Sequence, residues 1–447
     1  MGGKTPQTRR DLLKLAGAGI GGLIVGSAVG SLAFRPTTER VITATQVITQ
    51  TVTADAKSEP IKVGSLHGLT GWDAAQAKEM HRGSEMAVKE INELGGVLGR
   101  PIEWIEVDTR DYELEQVLSA AETLISKHRV DYVIYGYTYV EAPLYDKLAD
   151  AGILFLHTET IRNFAIWVRN NPDKGWLGFQ PDPIETFYGI GFAVFLDNLE
   201  QTGVWKPRNR KAAIIKSEDS YGQTIAEMFK EEITKRGWTI TMDDLAPIGT
   251  VEWGSFLAKI RADPPDVIFN TNWSTPDIVA FVKQFHERPV NSLLYGQWAP
   301  STPEFRKLAG DLANDMVWST LIGYLPEEDP IAGPWRRRYR QLYNEEPGHQ
   351  AAINYDMFWL WATAVALAGD PHNKRKTAKM LERLTYRGVC GTYRFNEEHW
   401  VPPYPDLVND PSLGIPHHMY QIRERQDMLI SPQPYAKASF KLPWWFK

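Results

Sequence analysis

"AAIIKSEDSYGQTIAEMFKEEITKRGWTI", residues 212–240, decides the reading of this chain. An apolar run ends at Ser217-Glu218-Asp219-Ser220-Tyr221-Gly222. An amphipathic stretch follows, and a second apolar run begins at Trp238. The periodicity predicts strand, loop, helix, strand, the unit that in nucleotide-binding proteins offers a glycine-rich loop to a phosphate. Here the loop has one glycine, a tyrosine and two acids, and Glu218 and Asp219 would repel an anion.

Working outward, the same unit recurs on both sides. "IKVGSLHG" leads to the amphipathic "GSEMAVKEINELGG", which ends in glycine as helices prefer. "PIEWIEVD", a helix around "YELEQVLSAAETLISKH", "VDYVIYGY", a helix around "APLYDKLADAG" and "ILFLHT" complete a first series. The second series repeats it: "AAIIKSED", "TIAEMFKEEITKRG", "WTITMDDLAP", "WGSFLAKIRA", "PDVIFNTN", "PDIVAFVKQFHERP" and "SLLYGQWAP". Alternating strands and helices argue for an α/β fold of two doubly wound lobes with mostly parallel sheets. Such sheets bind ligands beyond the carboxyl ends of their strands, so two in tandem predict a cleft between them. Later stretches, among them "GTYRFNEEHW" and "HMYQIRERQDMLIS", read as strands that cross back and complete both lobes. The expected division is lobe I over residues 60–180 and 300–400, and lobe II over 181–299 and 401–447.

The chain has 447 residues, 43% of them hydrophobic and 11% aromatic, enough for substantial cores. Cys390 is the one cysteine, so no internal disulfide can form. The ten histidines are scattered without HExxH spacing, and neither a metal nor a cofactor is expected. Residues 1–40 carry six basic and two acidic side chains, against 49 and 55 in the whole chain. The remainder is therefore acidic, which disfavours a nucleic-acid partner.

The basic end reads as an address. Arg9-Arg10 and Leu12-Leu13-Lys14 precede an uncharged run from Ala16 to Phe34, which resembles a twin-arginine export signal over residues 1–33. Within it "GAGIGG" satisfies GxGxxG, but no strand precedes it and no βαβ unit surrounds it. Ser31-Leu32-Ala33 offers a cleavage site, and the run is also long enough to stay as a membrane tether. Residues 34–59 read as an extended linker. The folded part is expected in the periplasm or on the outer face of the cytoplasmic membrane.

Six loops leave the relevant strands: "GLTGW", "GYTY", "HTET", "SEDSYG", "NTNWSTPD" and "GQWAP". They supply Trp72, Tyr137, Thr138, Tyr139, Thr158, Glu159, Tyr221, Asn272, Trp273, Asp277 and Trp298 as candidate ligand-binding residues. Hydroxyls and backbone N–H groups suit a carboxylate, acids suit an ammonium group, and aromatic walls suit an apolar body. Each residue also has a plainer use. The tryptophans and tyrosines can be packing, Thr138 and Thr158 can cap helices, and Glu159 and Asp277 can be loop or helix-start charges. No GxSxG elbow, Walker loop or placed cysteine–histidine pair is present, so an enzyme is not expected.

From about residue 61 to 447 the chain resembles the branched-chain amino-acid ABC-transporter substrate-binding proteins, of the type I periplasmic binding fold. The stretches that carry the resemblance are "IKVGSLHGLTG", "GSEMAVKEINELGGVLGRPIE", "SEDSYGQTIAEMFKEEITKRGWTI", "PPDVIFNTNWSTPDIVAFVKQ", "GVCGTYRFNEEH" and "HHMYQIRERQDMLISPQPYA". The resemblance implies two lobes joined by three linker strands, which close over a small ligand and then dock on an ABC permease. It further implies that Thr138, Tyr139 and Thr158 hold a ligand carboxylate, that Tyr221 lies over the ligand, and that "NTNWSTPD" faces an amino group. An amino acid is the family expectation; an amide, urea or an aromatic acid stays open. A sensor of the same fold for short-chain amides or urea is the alternative to a transport receptor.

Overall fold

The computed structural model describes residues 59–447; the export signal and most of the linker read from the sequence lie outside them. Five short strands form the first sheet: β1 (Ile61–His67), β2 (Ile102–Asp108), β3 (Tyr132–Ile134), β4 (Leu154–Leu156) and β5 (Gly178–Phe179). All pair in parallel, in the order β2-β1-β3-β4-β5. β3 and β4 are buried throughout, which is why they read as continuous apolar runs without alternation.

The second series builds the same arrangement. β6 (Lys211–Ser217), β7 (Thr239–Ala246), β8 (Val267–Asn270), β9 (Leu293–Gly296) and β10 (Val317–Thr320) are parallel, in the order β7-β6-β8-β9-β10. β11 (His418–Arg423) adds antiparallel to β10, and β12 (Gln426–Ser431) adds antiparallel to β11. The repeat seen in the sequence is thus a repeat of topology, and in each sheet the strand order reverses beside the first strand of its series. That reversal opens a crevice at the strand ends.

Each sheet carries its own core. Residues Ile61–Phe179 share one with a returning segment, Ile322–Val401 plus Ile415. The other sheet packs against two clusters drawn from Ala165–Leu321, Trp400 and Met419–Phe446. The chain therefore passes between lobes three times: around 180–186, at 321–322, and between Ile415 and Met419. Two expected boundaries move. The second passage was expected at residue 300, but β10 still pairs with β9 through Val317 and Tyr295, and Phe305, Ala309 and Met316 lie in the second lobe's core. The third was expected at residue 401, but Val401 and Ile415 still pack in the first. "GTYRFNEEHW" yields only Thr392–Tyr393 as strand, paired with Tyr386–Arg387.

The helix His349–Ala368 returns to the first lobe and lies on the helix Ala74–Glu93. Gly83 permits that approach, since a Cβ there would sit 2.1 Å from the Ala351 carbonyl oxygen. Among the described residues no helix is long and apolar enough to cross a membrane.

Candidate functional site

The break at "SEDSYG" joins β6 to the helix Ser220–Lys235. Asp219 caps that helix, its Oδ1 accepting from the Gly222 N–H at 2.9 Å. Gly222 serves the chain itself: a Cβ there would come within 1.7 Å of Ser217 Oγ, while the Gly222 carbonyl accepts from Thr271 Oγ1 at 2.9 Å. The one glycine of the loop is there because the helix start sits against the ends of β6 and β8. Glu218 turns outward and accepts from the Ile248 N–H at 3.1 Å, so of the two acids only Asp219 reaches the cavity.

That cavity has a volume of about 230 Å³ and lies between the strand ends of both sheets. Tyr137, Tyr139, Glu141, Thr158, Glu159, Thr160 and Ile161 line it from the first lobe; Asp219, Ser220, Tyr221, Trp273 and Trp298 line it from the second. Tyr188, Ile322 and Gln350, which follow the first two passages, complete it. Contacts cross its mouth. The Trp273 ring stacks on Tyr139, with centroids 6.0 Å apart, and lies 6.0 Å from Trp72. Trp298 Nε1 donates to Gln76 Oε1 at 3.1 Å.

Several wall residues sit in the left-handed backbone region. Tyr139 (φ 56°), Thr160 (φ 51°) and Trp298 (φ 49°) all line the cavity. Tyr112 (φ 61°) packs edge-on against Tyr139 at 5.4 Å. Non-glycine residues adopt this conformation at a cost, and it persists where the surroundings hold it, as they do at binding sites. Here it aims three side chains into one space.

The polar groups divide into those already engaged and those left over. Tyr137 donates its hydroxyl to Asp73 at 2.7 Å, and burial pushes the Asp73 carboxyl up to about 7. Tyr221 accepts from Gln297 Nε2 at 2.8 Å and meets Tyr188 edge-on. Asp219 Oδ2 accepts from Trp273 Nε1 at 3.0 Å. Glu159 accepts from the Thr138 N–H and hydroxyl, both at 3.0 Å, and from the Tyr145 hydroxyl. Burial raises its carboxyl to about 7 against those hydrogen bonds. His157 beside it is neutral, because burial drives its imidazole down to about 3. Thr158 Oγ1 and Gln350 Oε1 are buried without a partner.

Seven of the eleven residues expected at the site line the cavity: Tyr137, Tyr139, Thr158, Glu159, Tyr221, Trp273 and Trp298. Trp72 stands at the rim, more than half exposed, donating Nε1 to the Asp111 carbonyl. Thr138 is fully buried behind the wall and spends its hydroxyl on Glu159. Asn272 and Asp277 do not face the cavity. Asp277 accepts from Gly249 N–H (2.7 Å), Thr250 N–H (3.1 Å) and Asn272 Nδ2 (3.0 Å) at one oxygen and from Ser274 Oγ (2.7 Å) at the other, which engages both oxygens and fixes the start of its helix. The acid facing inward from the second lobe is Asp219, which sequence reasoning left out of the site. Its place directly before Ser220-Tyr221 was the available signal. Tyr188, Ile322 and Gln350 had none, since they arrive from distant segments.

A model of the family described as periplasmic binding protein matches residues 60–402. The Leu/Ile/Val-binding protein BraC3 of Rhizobium johnstonii is 24% identical over 284 residues, covering 63% of this chain and 73% of that protein. A Silicibacter pomeroyi structure ascribed to a branched-chain amino acid ABC transporter is 35% identical, with a TM-score of 0.82, covering 86% of this chain and 100% of that one. The Streptococcus pneumoniae substrate-binding protein LivJ, solved with isoleucine, shares the fold at a TM-score of 0.68 and 20% identity, over 82% and 97% of the two chains. The chain shares the type I periplasmic binding fold with these structures and belongs to the periplasmic binding protein family, among the substrate-binding proteins of branched-chain amino-acid ABC transporters.

Proposed function

We propose that this chain is an exported receptor that captures a small solute bearing an ammonium group on an apolar body, by closing its two lobes, and delivers it to an ABC permease. One observation carries the reading: a cavity walled by both lobes, with aromatic rings from each stacked across its mouth. A solute touching both walls stabilises the closed arrangement, and the empty protein opens. The permease then distinguishes loaded from empty by shape. Asp219 is the partner for the ammonium group, Thr158 Oγ1 donates to an acceptor on the solute, and Tyr221 and Trp273 cover its apolar part. Amino acids are the first solutes to test, since the relatives are named for Leu, Ile and Val. Export by the twin-arginine route belongs to the same proposal and rests on Arg9-Arg10 and the uncharged run that follows.

A thermal-shift panel of amino acids, amines, amides and urea tests the reading. A ligand at 100 times its dissociation constant adds about 2.7 kcal/mol to stability, so at least one member should raise the melting temperature by several degrees. No shift from any member would overturn the solute class.

A further inference from the structure

The cavity wall is unusual in its charge. Among the described residues, Glu141, Glu159 and Asp219 line it, and no Lys, Arg or His does. The three carboxylates are held by neutral donors: Glu141 by Asn163 Nδ2 at 2.6 Å, Glu159 by Thr138 and Tyr145, Asp219 by Gly222 N–H and Trp273 Nε1. His157, 3.7 Å from Glu159, is uncharged. Arg162, on the helix that follows Ile161, does not line the cavity, and its charge acts on Glu185. Asp219 thus faces a space that no positive side chain of the described residues lines, while burial raises the Glu141 and Glu159 carboxyls toward their neutral forms.

Two further observations point to an occupant. Six aromatic rings, Tyr137, Tyr139, Tyr188, Tyr221, Trp273 and Trp298, surround the same space, and ring faces attract cations, most strongly when water is excluded. Gln350, 5% exposed, lines the cavity, and its Oε1 is buried without a donor. A carboxylate on the solute would meet three acidic side chains, Asp219 among them, and no positive one, an arrangement that disfavours anions.

Building on the receptor reading above, we infer that the solute is a net organic cation: an ammonium group on an apolar or aromatic frame, without a carboxylate of its own. The ammonium group sits among the rings beside Asp219 and Glu141 and donates to Gln350 Oε1. An amino-acid zwitterion, by contrast, brings a carboxylate that finds neutral donors such as the Thr158 and Ser220 hydroxyls but no positive side chain to offset the acids.

Calorimetric titration of the full chain with two matched sets tests this. One set is 3-methylbutylammonium, leucine and 4-methylpentanoate; the other is benzylammonium, phenylglycine and phenylacetate. Within each set the frame is constant and only the charged groups change. The cation should bind at least tenfold more tightly than the zwitterion and the anion in at least one set. Asp219→Asn, which keeps a good helix cap, should weaken the cation at least tenfold and leave the anion unchanged or tighter. A zwitterion or anion that binds as tightly as its cation overturns the charge inference but leaves the receptor reading standing. Failure of all six to bind overturns the inference too, while the wider thermal-shift panel judges the receptor reading separately. Equal weakening of all three members by Asp219→Asn would mean that the residue only shapes the wall.

Discussion

Trp273 and Tyr139 stack across the mouth of the cavity, their ring centroids 6.0 Å apart and their planes 20° from parallel. The first follows β8 in the second lobe and the second follows β3 in the first. Such pairs contribute about 0.5–1.5 kcal/mol beyond the area they bury. Trp273→Ala should therefore weaken the best ligand of the panel about fivefold or more, because the closed state loses a contact that the open state never had. Trp273 is half-buried, so the melting temperature of the ligand-free protein should move little. Equal losses of binding and stability would mean that the ring is only packing.

Asp277 and Asp219 make opposite predictions. Asp277→Ala removes the acceptor of four hydrogen bonds and leaves the Asn272 amide buried without one. Unpartnered buried groups cost about 1–3 kcal/mol each, so denaturant unfolding should show a loss of about 2–4 kcal/mol. The folded fraction should keep its ligand affinity. Asp219→Asn should do the reverse, with affinity falling and stability holding.

Gly222→Ala should destabilise the second lobe, because its Cβ would lie 1.7 Å from Ser217 Oγ. Overpacking of this kind costs about 1–3 kcal/mol. Ser217→Ala removes the clashing oxygen, so the double variant should regain part of that loss. A double-mutant cycle with no coupling between the two would refute the contact.

Glu159 gives a pH dependence whose sign follows from its burial. Its folded carboxyl titrates near 7, above an unfolded value of about 4.3. Between those values the native state holds more protons than the unfolded chain, so this group's contribution to stability falls as pH rises from about 4.3 to about 7, and is flat above. Asp73, held near 7 by burial, and Glu185, pushed up to about 8, slope the same way. Glu159→Gln should keep the Thr138 hydrogen bonds through its oxygen and offer its amide to the Tyr145 hydroxyl. The variant should gain melting temperature at pH 7.5 relative to pH 5, and its stability-versus-pH slope should be shallower by about one proton. An unchanged slope would show that Glu159 titrates as it does in water.

Strand and helix order was legible because each lobe repeats one pattern and buried parallel strands read as apolar runs. The loops that follow β1, β3, β4, β6, β8 and β9 could be placed for the same reason. Which side chains within a loop face outward was not legible. Thr138, past a strand end like Thr158, and Asp277, in the first turn of a helix, look as available as Asp219, yet their oxygens are used up satisfying neighbouring backbone and side-chain donors, a demand any buried turn must meet first. Glu218 and Asp219 are adjacent and alike in sequence; the helix start turns one toward the solvent and the other toward the cavity. Passage points were misread by up to some twenty residues, because β10 has no local mark of the lobe it joins. Gln350 and Ile322 reach the cavity only through those passages.

The central claim is that one solute is held by both lobes at once. Cys390 is buried and is the chain's single cysteine, so thiol labels can be directed to introduced sites. Spin labels at Glu113→Cys and Glu252→Cys, both exposed and one on each lobe, report the separation by double electron–electron resonance. Saturating ligand should give one short, narrow distance distribution, and removing it should give a longer and broader one. The same distribution with and without saturating ligand would contradict capture by closure.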